Sequence, residues 1–296
     1  MLIIPVSSFS QQDLMLTQYM VSLQPTNAGY VGTSGRLNAT AYTRNQWVGF
    51  EGAPSSQILM INSPFIKHNI GVGLTLVHDQ IGPLKQTLVF ADIAYNFKIS
   101  DKIKLSMGLK SGLSIQQPDI SNVTTVDQND PAYRSQKQTE LLPNFGFGLY
   151  MYSKKFYVGL STPKLMQNKT GDNSTQGVSG SEKRHYYLIS GYLFELNPEW
   201  KLRPSLFAKM VTGAPISTEL TANTIYKDKI WFGIMYRFGD AIGGILQYQV
   251  TKQFRVGYSY DFALSKMMKY NNGTHEIMLS YDMIFRDDRI VTPRYF

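Results

Sequence analysis

Residues 102–115 read Lys-Ile-Lys-Leu-Ser-Met-Gly-Leu-Lys-Ser-Gly-Leu-Ser-Ile. Ile103, Leu105, Met107, Leu109, Leu113 and Ile115 share one parity, while Lys102, Lys104, Ser106, Gly108, Lys110, Gly112 and Ser114 share the other. A period of two is that of a β-strand, whose successive side chains point to opposite faces. This strand therefore has a wholly apolar face and a cationic, small-residue face. A soluble sandwich would lay the apolar face on a second sheet, whereas a transmembrane barrel would lay it on lipid and turn the polar face to a wet lumen. The rest of the chain decides between the two.

The 296 residues are 43% hydrophobic and 13% aromatic but only 17% charged, below the roughly 25% of soluble domains. Mean hydropathy is nonetheless −0.19, and no apolar run reaches the about 18 residues that a membrane-spanning helix needs. Low charge, many aromatics and modest hydropathy together fit a barrel that hides its apolar residues in alternation. Net charge is +8, with Lys and Arg spread along the chain instead of clustered as on a nucleic-acid-binding element, so no nucleic-acid partner is expected. Cysteine is absent, which excludes disulfides, thiolate chemistry and Cys-based metal sites.

Met1 to Ser10 resembles the apolar tail of a secretory signal peptide without its basic region, and Ser8-Phe9-Ser10 before Gln11 fits a small-x-small cleavage site. The mature chain is expected to begin at Gln11. Residues 11–35, with Pro25, Gly29, Gly32 and Gly35, read as an irregular periplasmic or lumenal segment ahead of the sheet.

From Arg36 onward, alternating segments of about ten residues follow one another with no helix between them, as in an outer-membrane barrel. Strands are expected over 36–47, 55–63, 69–78, 86–97, 102–115, 141–152, 155–162, 183–195, 200–211, 214–225, 229–238, 241–250, 253–262 and 274–285. These make a single-chain antiparallel β-barrel of about fourteen strands over 36–285, an even number as bacterial barrels require. Phe285 would end the last strand, and the tail 286–296 would lie in the periplasm. With the N-terminus periplasmic, the inner turns are short: 64–68, 98–101, 153–154, 196–199, 226–228 and 251–252. The outer set holds the long polar stretches 116–140 and 163–182, together with 263–273.

Parity assigns faces. Phe254, Val256, Tyr258, Tyr260 and Phe262 would face lipid, as would Ile277, Leu279, Tyr281, Met283 and Phe285. Lys104, Lys110, Glu219, Arg237, Arg255, Asp261, Glu276 and Asp282, with Asp92 and Lys209, would face the lumen, because Arg or Lys on the lipid face at mid-depth costs about 2 to 4 kcal/mol. Aromatics near strand ends, among them Trp47, Tyr95, Phe97, Trp200, Tyr236 and Phe238, suit interfacial girdles, although ordinary strand propensity also favours them.

Gln46 to Pro54 lies between the first two strands and hence outside the cell. Gly49, Gly52 and Pro54 suit a fixed turn presenting Trp47, Phe50 and Glu51 to a partner, unless the loop folds inward to close the lumen. The four histidines, His68, His78, His185 and His275, have no metal-ligand spacing, and His275-Glu276 lacks the second His of a zincin. A barrel hydrolase would need His185 or His275 to meet a serine in space. Gly71-Val72-Gly73 and Gly146-Phe147-Gly148 sit inside strand patterns with no helix after them, so they read as lumen-facing or closely packed glycines and not as phosphate loops. No catalytic residue, cofactor or metal is expected.

Several blocks together resemble one family. Gln18-Tyr19-Met20, Asn27-Ala28-Gly29-Tyr30 and Arg44-Asn45-Gln46-Trp47-Val48-Gly49-Phe50-Glu51-Gly52-Ala53-Pro54 look like the opening of PorP/SprF outer-membrane proteins of the Bacteroidetes type IX secretion system. The likeness continues through Asp79 to Pro83, Asn144 to Tyr150, Lys209 to Pro215, Tyr236 to Asp240, Gly257 to Asp261 and Gly273-Thr274-His275-Glu276-Ile277-Met278-Leu279. The resemblance implies an outer-membrane barrel that is neither a general porin nor an enzyme. It would be needed for secretion and surface attachment of large adhesins with a type B C-terminal domain and for gliding or adhesion machinery. Periplasmic or lipoprotein components of the type IX machinery would be further partners. The alternative function is a diffusion channel or ligand transporter, since fourteen strands leave room for a ligand or a plug; the mixed-sign inner face and the N-terminal segment argue for occlusion.

Overall fold

A computed structural model describes residues 15–65, 69–118, 139–170 and 180–283. Fourteen antiparallel strands close into a barrel. They are β1 Leu37–Asn45, β2 Ser55–Phe65, β3 Ile70–Ile81, β4 Leu84–Lys98, β5 Lys104–Pro118, β6 Glu140–Tyr152, β7 Phe156–Thr162, β8 His185–Tyr192, β9 Trp200–Val211, β10 Ser217–Tyr226, β11 Ile230–Arg237, β12 Ala241–Gln249, β13 Phe254–Ala263 and β14 Thr274–Met283. Each pairs with its neighbours in sequence, and β1 pairs with β14 from Leu37↔Met283 to Asn45↔His275, so no edge is left open. No α-helix occurs among the described residues.

The alternation of β5 is reproduced in space. Ser106, Gly108, Lys110 and Ser114 are buried, while Met107, Leu109 and Leu113 stand on the outside. The same holds around the wall: Ile93, Leu160, Leu220, Phe232, Ile234, Leu246, Tyr258, Ile277 and Leu279 are exposed. Arg44, Asp92, Lys110, Lys209, Glu219, Arg237, Arg255, Asp261, Glu276 and Asp282 are buried within. The belt of apolar side chains is what a strand wall offers to lipid.

Aromatic pairs gather on the outer face near both ends. Trp200 packs on Tyr226 at 4.6 Å, Tyr192 on Phe194 at 4.6 Å and Tyr95 on Phe97 at 4.7 Å near the short-turn end. Tyr236 meets Phe238 at 4.9 Å and Tyr260 meets His275 at 5.1 Å near the other. On the short-turn rim, Lys227 hydrogen-bonds to Tyr226 and Glu199, which raises its ammonium above the ordinary lysine value.

Several strand ends differ from the sequence reading. β3 and β4 run on to Ile81 and Leu84 because Gly82, at φ 55°, closes a tight turn between them. β10 begins at Ser217 instead of 214, since Gly213 at φ 86° and the bond from Ala214 N to Val211 O spend these residues in a turn. The ladder of β8 breaks at Leu193, which turns inward, donates to Lys155 O at 2.7 Å and packs with Ile225 and Trp231, and Phe194–Glu195 pairs with β9 beyond the break, so the expected end at 195 holds. β7 ends at Thr162 as expected, before Pro163, which has no N–H to offer β6. Residues 1–14, the segment 119–138, residues 171–179 of the 163–182 loop, His68 and the tail with Phe285 lie outside the described residues.

Candidate functional site

The lumen holds the chain's own N-terminal segment. Residues 15–35 form two short 3-10 turns, Tyr19–Val21 and Ala28–Tyr30, and nearly every side chain from Leu16 to Val31 is buried. Asn27 caps the second turn, its Oδ1 accepting Gly29 N at 2.8 Å, while its Nδ2 donates to Leu149 O on β6 at 2.9 Å. Gln24 Nε2 donates to Leu74 O and Thr75 Oγ1 on β3, both at 3.0 Å. Tyr42 on β1 donates to Gln18 O at 3.2 Å, Gln247 on β12 to Gln18 Oε1 at 3.1 Å, and Tyr19 packs on Phe207 of β9 at 4.9 Å. The segment is thus held by strands on opposite sides of the barrel and lies across it.

Glycine makes the approach possible. A Cβ at Gly108 would overlap the Ala28 carbonyl, and one at Gly148 would overlap the Asn27 side-chain amide. Gly108 and Gly148 therefore lie flat against the segment, where a larger residue would push it away.

Buried charge fixes the other side. Arg44 donates to Glu276 Oε2 and to Asp261 Oδ2, each at 2.9 Å, and to Thr17 Oγ1 at 2.8 Å. Thr17 Oγ1 donates in turn to Asp261 at 2.6 Å. Glu276 accepts the backbone N–H groups of Thr17 and Gln18, both at 2.9 Å. Arg237 grips Glu219 Oε2 at 2.7 and 2.9 Å and reaches Asp240 at 3.1 Å. Lys110 pairs with Asp92 at 2.7 Å and lies over the Phe90 ring. Between the segment and the wall, a cavity of about 60 Å³ is lined by Pro25, Thr26, Phe90, Lys110, Pro163 and Tyr187 among others.

Of the residues assigned to the lumen from sequence, Lys110, Glu219, Arg237, Asp261 and Glu276 enter these clusters. Arg255 covers Trp231 at 4.2 Å and Asp282 accepts Asn38 Nδ2 at 2.8 Å, nearer the short-turn end. Lys104 has the inward parity but stands exposed at the start of β5. Arg44, Thr17, Gln18, Gln24 and Asn27 escape the sequence reading. Arg44 follows Asn38, Thr40 and Tyr42 on the buried parity of β1, but Ala39, Ala41 and Thr43 opposite them give too little contrast to mark a face.

At the long-loop end, residues 46–54 are tied down without being covered. Gln46 N donates to Pro54 O at 2.9 Å, Val48 N to Gly273 O at 2.9 Å, Asn272 N to Val48 O at 2.7 Å and Gly82 N to Gly52 O at 2.9 Å. Trp47, Gly49 and Gly52 take positive φ. Val48, Gly49, Phe50, Glu51 and Gly52 are exposed, Phe50 at 44%, while Trp47 and Pro54 are half-buried. The loop stands on the rim and does not fold into the lumen.

Of the histidines, His275 Nδ1 lies 2.7 Å from the Tyr258 hydroxyl, and His185 Nδ1 lies 3.0 Å from Lys183 O. Among the described residues no group of three or more acidic or histidine side chains is placed to hold a metal.

Among solved structures, the chain is similar to the CymD monoaromatic hydrocarbon channel, at 12% identity and TM-score 0.51, over 92% of this chain and 94% of that one. It is also similar to a TodX deltaS2S3 mutant monoaromatic hydrocarbon channel, at 10% identity and TM-score 0.49 over 91% and 94%, and to the NanC porin, at 9% and 0.45 over 84% and 100%. At these identities the CymD likeness speaks to the fold alone. No curated protein matches the sequence. The family described as type IX secretion system membrane protein PorP/SprF matches residues 8–281. With its closed wall, apolar belt and aromatic girdles, the chain is an outer-membrane β-barrel and belongs to the PorP/SprF family of type IX secretion system membrane proteins.

Proposed function

We propose that this barrel is a non-enzymatic anchor that supports secretion and surface attachment of a type IX cargo, a large adhesin with a type B C-terminal domain serving gliding or adhesion. The observation that carries this reading is the occupied lumen. A segment of the same chain spans it, held by Arg44, Asp261 and Glu276 on one side and by Gln24 and Asn27 on the other, and the neighbouring cavity of about 60 Å³ is of a size for a few waters. On this reading a barrel whose lumen is occupied by its own chain acts through its surfaces, and the rim loop 46–54 is both fixed and exposed. Trp47, Gly49, Phe50, Glu51, Gly52 and Pro54 are the proposed partner-binding residues, and periplasmic components of the machinery would meet the opposite end.

Diffusion of a ligand through the barrel is the competing reading. Its support is the barrel architecture shared with the CymD channel. The anchoring reading is tested by changing Phe50 and Glu51 to Ala in cells. Adhesin should be lost from the surface and appear in the medium while the barrel keeps its heat-modifiable mobility; unchanged display would contradict the assignment.

A further inference from the structure

A second fixed and uncovered surface adjoins loop 46–54. The connection 264–273 leaves the wall after Ala263 and returns at Thr274, beyond the last ladder pairs of β13 and beyond the Tyr258, Tyr260 and His275 cluster on the outer face. Its backbone is pinned throughout. Leu264 N donates to Asp240 O at 2.7 Å, Met268 N to Ser265 O and Tyr270 N to Met267 O at 3.0 Å each. Gly273 N donates to Asn271 Oδ1 at 2.8 Å and the Tyr260 hydroxyl to Asn272 O at 3.1 Å. Asn272 and Gly273 then bond to Val48, which joins this connection to loop 46–54.

A pinned loop normally turns its apolar side chains inward. Here Leu264, Met268 and Tyr270 face out, Tyr270 at 65% exposure, on the connection whose Asn272 and Gly273 bond to Val48 of the loop that exposes Val48 and Phe50. Contiguous apolar groups on an ordered surface mark interaction sites, because covering them costs little further ordering. Lys266 and Lys269 bracket a 3-10 turn, in which residues three apart eclipse, so the two ammonium groups share an edge. The stretch 264–273 contains no Asp or Glu, and among the described residues neither lysine has an identified carboxylate partner.

We propose that the Lys266–Lys269 turn and loop 46–54 form one composite docking surface for a protein segment that sets carboxylates beside apolar side chains. Lys266 and Lys269 take the carboxylates; Phe50, Met268 and Tyr270 take the apolar contacts. A lipid phosphate would satisfy the lysines but leave Met268 and Tyr270 among sugars, beyond the interfacial aromatics, which is why the partner is protein. The inference rests on the anchoring reading and adds to it the second half of the surface and the charge of the partner.

The test uses the full-length barrel in phosphatidylcholine nanodiscs and, as probe, a purified type B C-terminal domain from an adhesin of the same bacterium, with binding read by biolayer interferometry. Lys266→Glu with Lys269→Glu should raise Kd about tenfold or more; the milder Lys266→Gln with Lys269→Gln should flatten the salt dependence. Met268→Ala with Tyr270→Ala should weaken binding independently of salt. Weakening by the Phe50 and Glu51 changes alone, with the 266–270 variants at wild-type affinity, would overturn the composite surface and leave the anchoring reading standing. No binding by the wild type would overturn both. An effect of the lysine changes seen only when lipopolysaccharide is added would assign them to lipid and overturn the proposal.

Discussion

Arg44 and Glu276 are register partners across the seam where the first strand meets the last, and their side chains meet at 2.9 Å. Glu276 also receives the N–H groups of Thr17 and Gln18. One carboxylate therefore joins barrel closure to the segment that fills the barrel, and the two cannot be loosened separately at this point.

Replacing Glu276 by Ala takes one of the carboxylates from Arg44, which keeps Asp261, and leaves the N–H groups of Thr17 and Gln18 without this acceptor. Removing one member of a buried ion pair costs about 3 to 5 kcal/mol. Glu276→Gln, which keeps an acceptor oxygen, should lose less. Urea titration of the heat-modifiable band measures both, and equal stability of the wild type and Glu276→Ala would show that the seam does not depend on this pair.

Gly108→Ala tests the contact between wall and segment. The new methyl would overlap the Ala28 carbonyl, and overpacking of this kind costs about 1 to 3 kcal/mol. The N-terminal segment should become accessible to added protease. Gly244→Ala is the control, because Gly244 lies exposed on β12 with nothing near its missing Cβ. Equal protection of the two variants would contradict the close approach.

The faces of β5 can be tested by neighbours of opposite parity. Leu109 is 60% exposed on the outer face and Lys110 is buried inside. Leu109→Arg should cost about 2 to 4 kcal/mol of barrel stability, the penalty for a cation at mid-membrane. Ser106→Lys would not be an equivalent change, since Ser106 is fully buried within the barrel. If Leu109→Arg folds with wild-type stability in lipid, the register of β5 is wrong.

The wall was legible in residues 102–115 because lipid on one side and polar interior on the other impose a period of two on every strand, and length and girdle follow from membrane thickness. The lumen was not. Gln18, Gln24 and Asn27 belong to no period, and their partners Gln247, Thr75 and Leu149 are chosen by closure of the barrel over long chain separations. Arg44 and Glu276 are likewise brought together only when the first and last strands meet. Loop 46–54 could be placed outside by counting strands, yet its bonds to Gly273 and Gly82 depend on three connections meeting at one rim. The break in the β8 ladder has a local reason, a leucine that turns into the barrel.

Single-channel recording in a planar bilayer tests the occluded lumen most directly. The wild-type barrel should be silent across both polarities, and a variant lacking residues 15–35, if it retains heat-modifiable folding, should conduct in discrete steps. A stable open pore from the wild-type protein would contradict the account and return the barrel to the transport class.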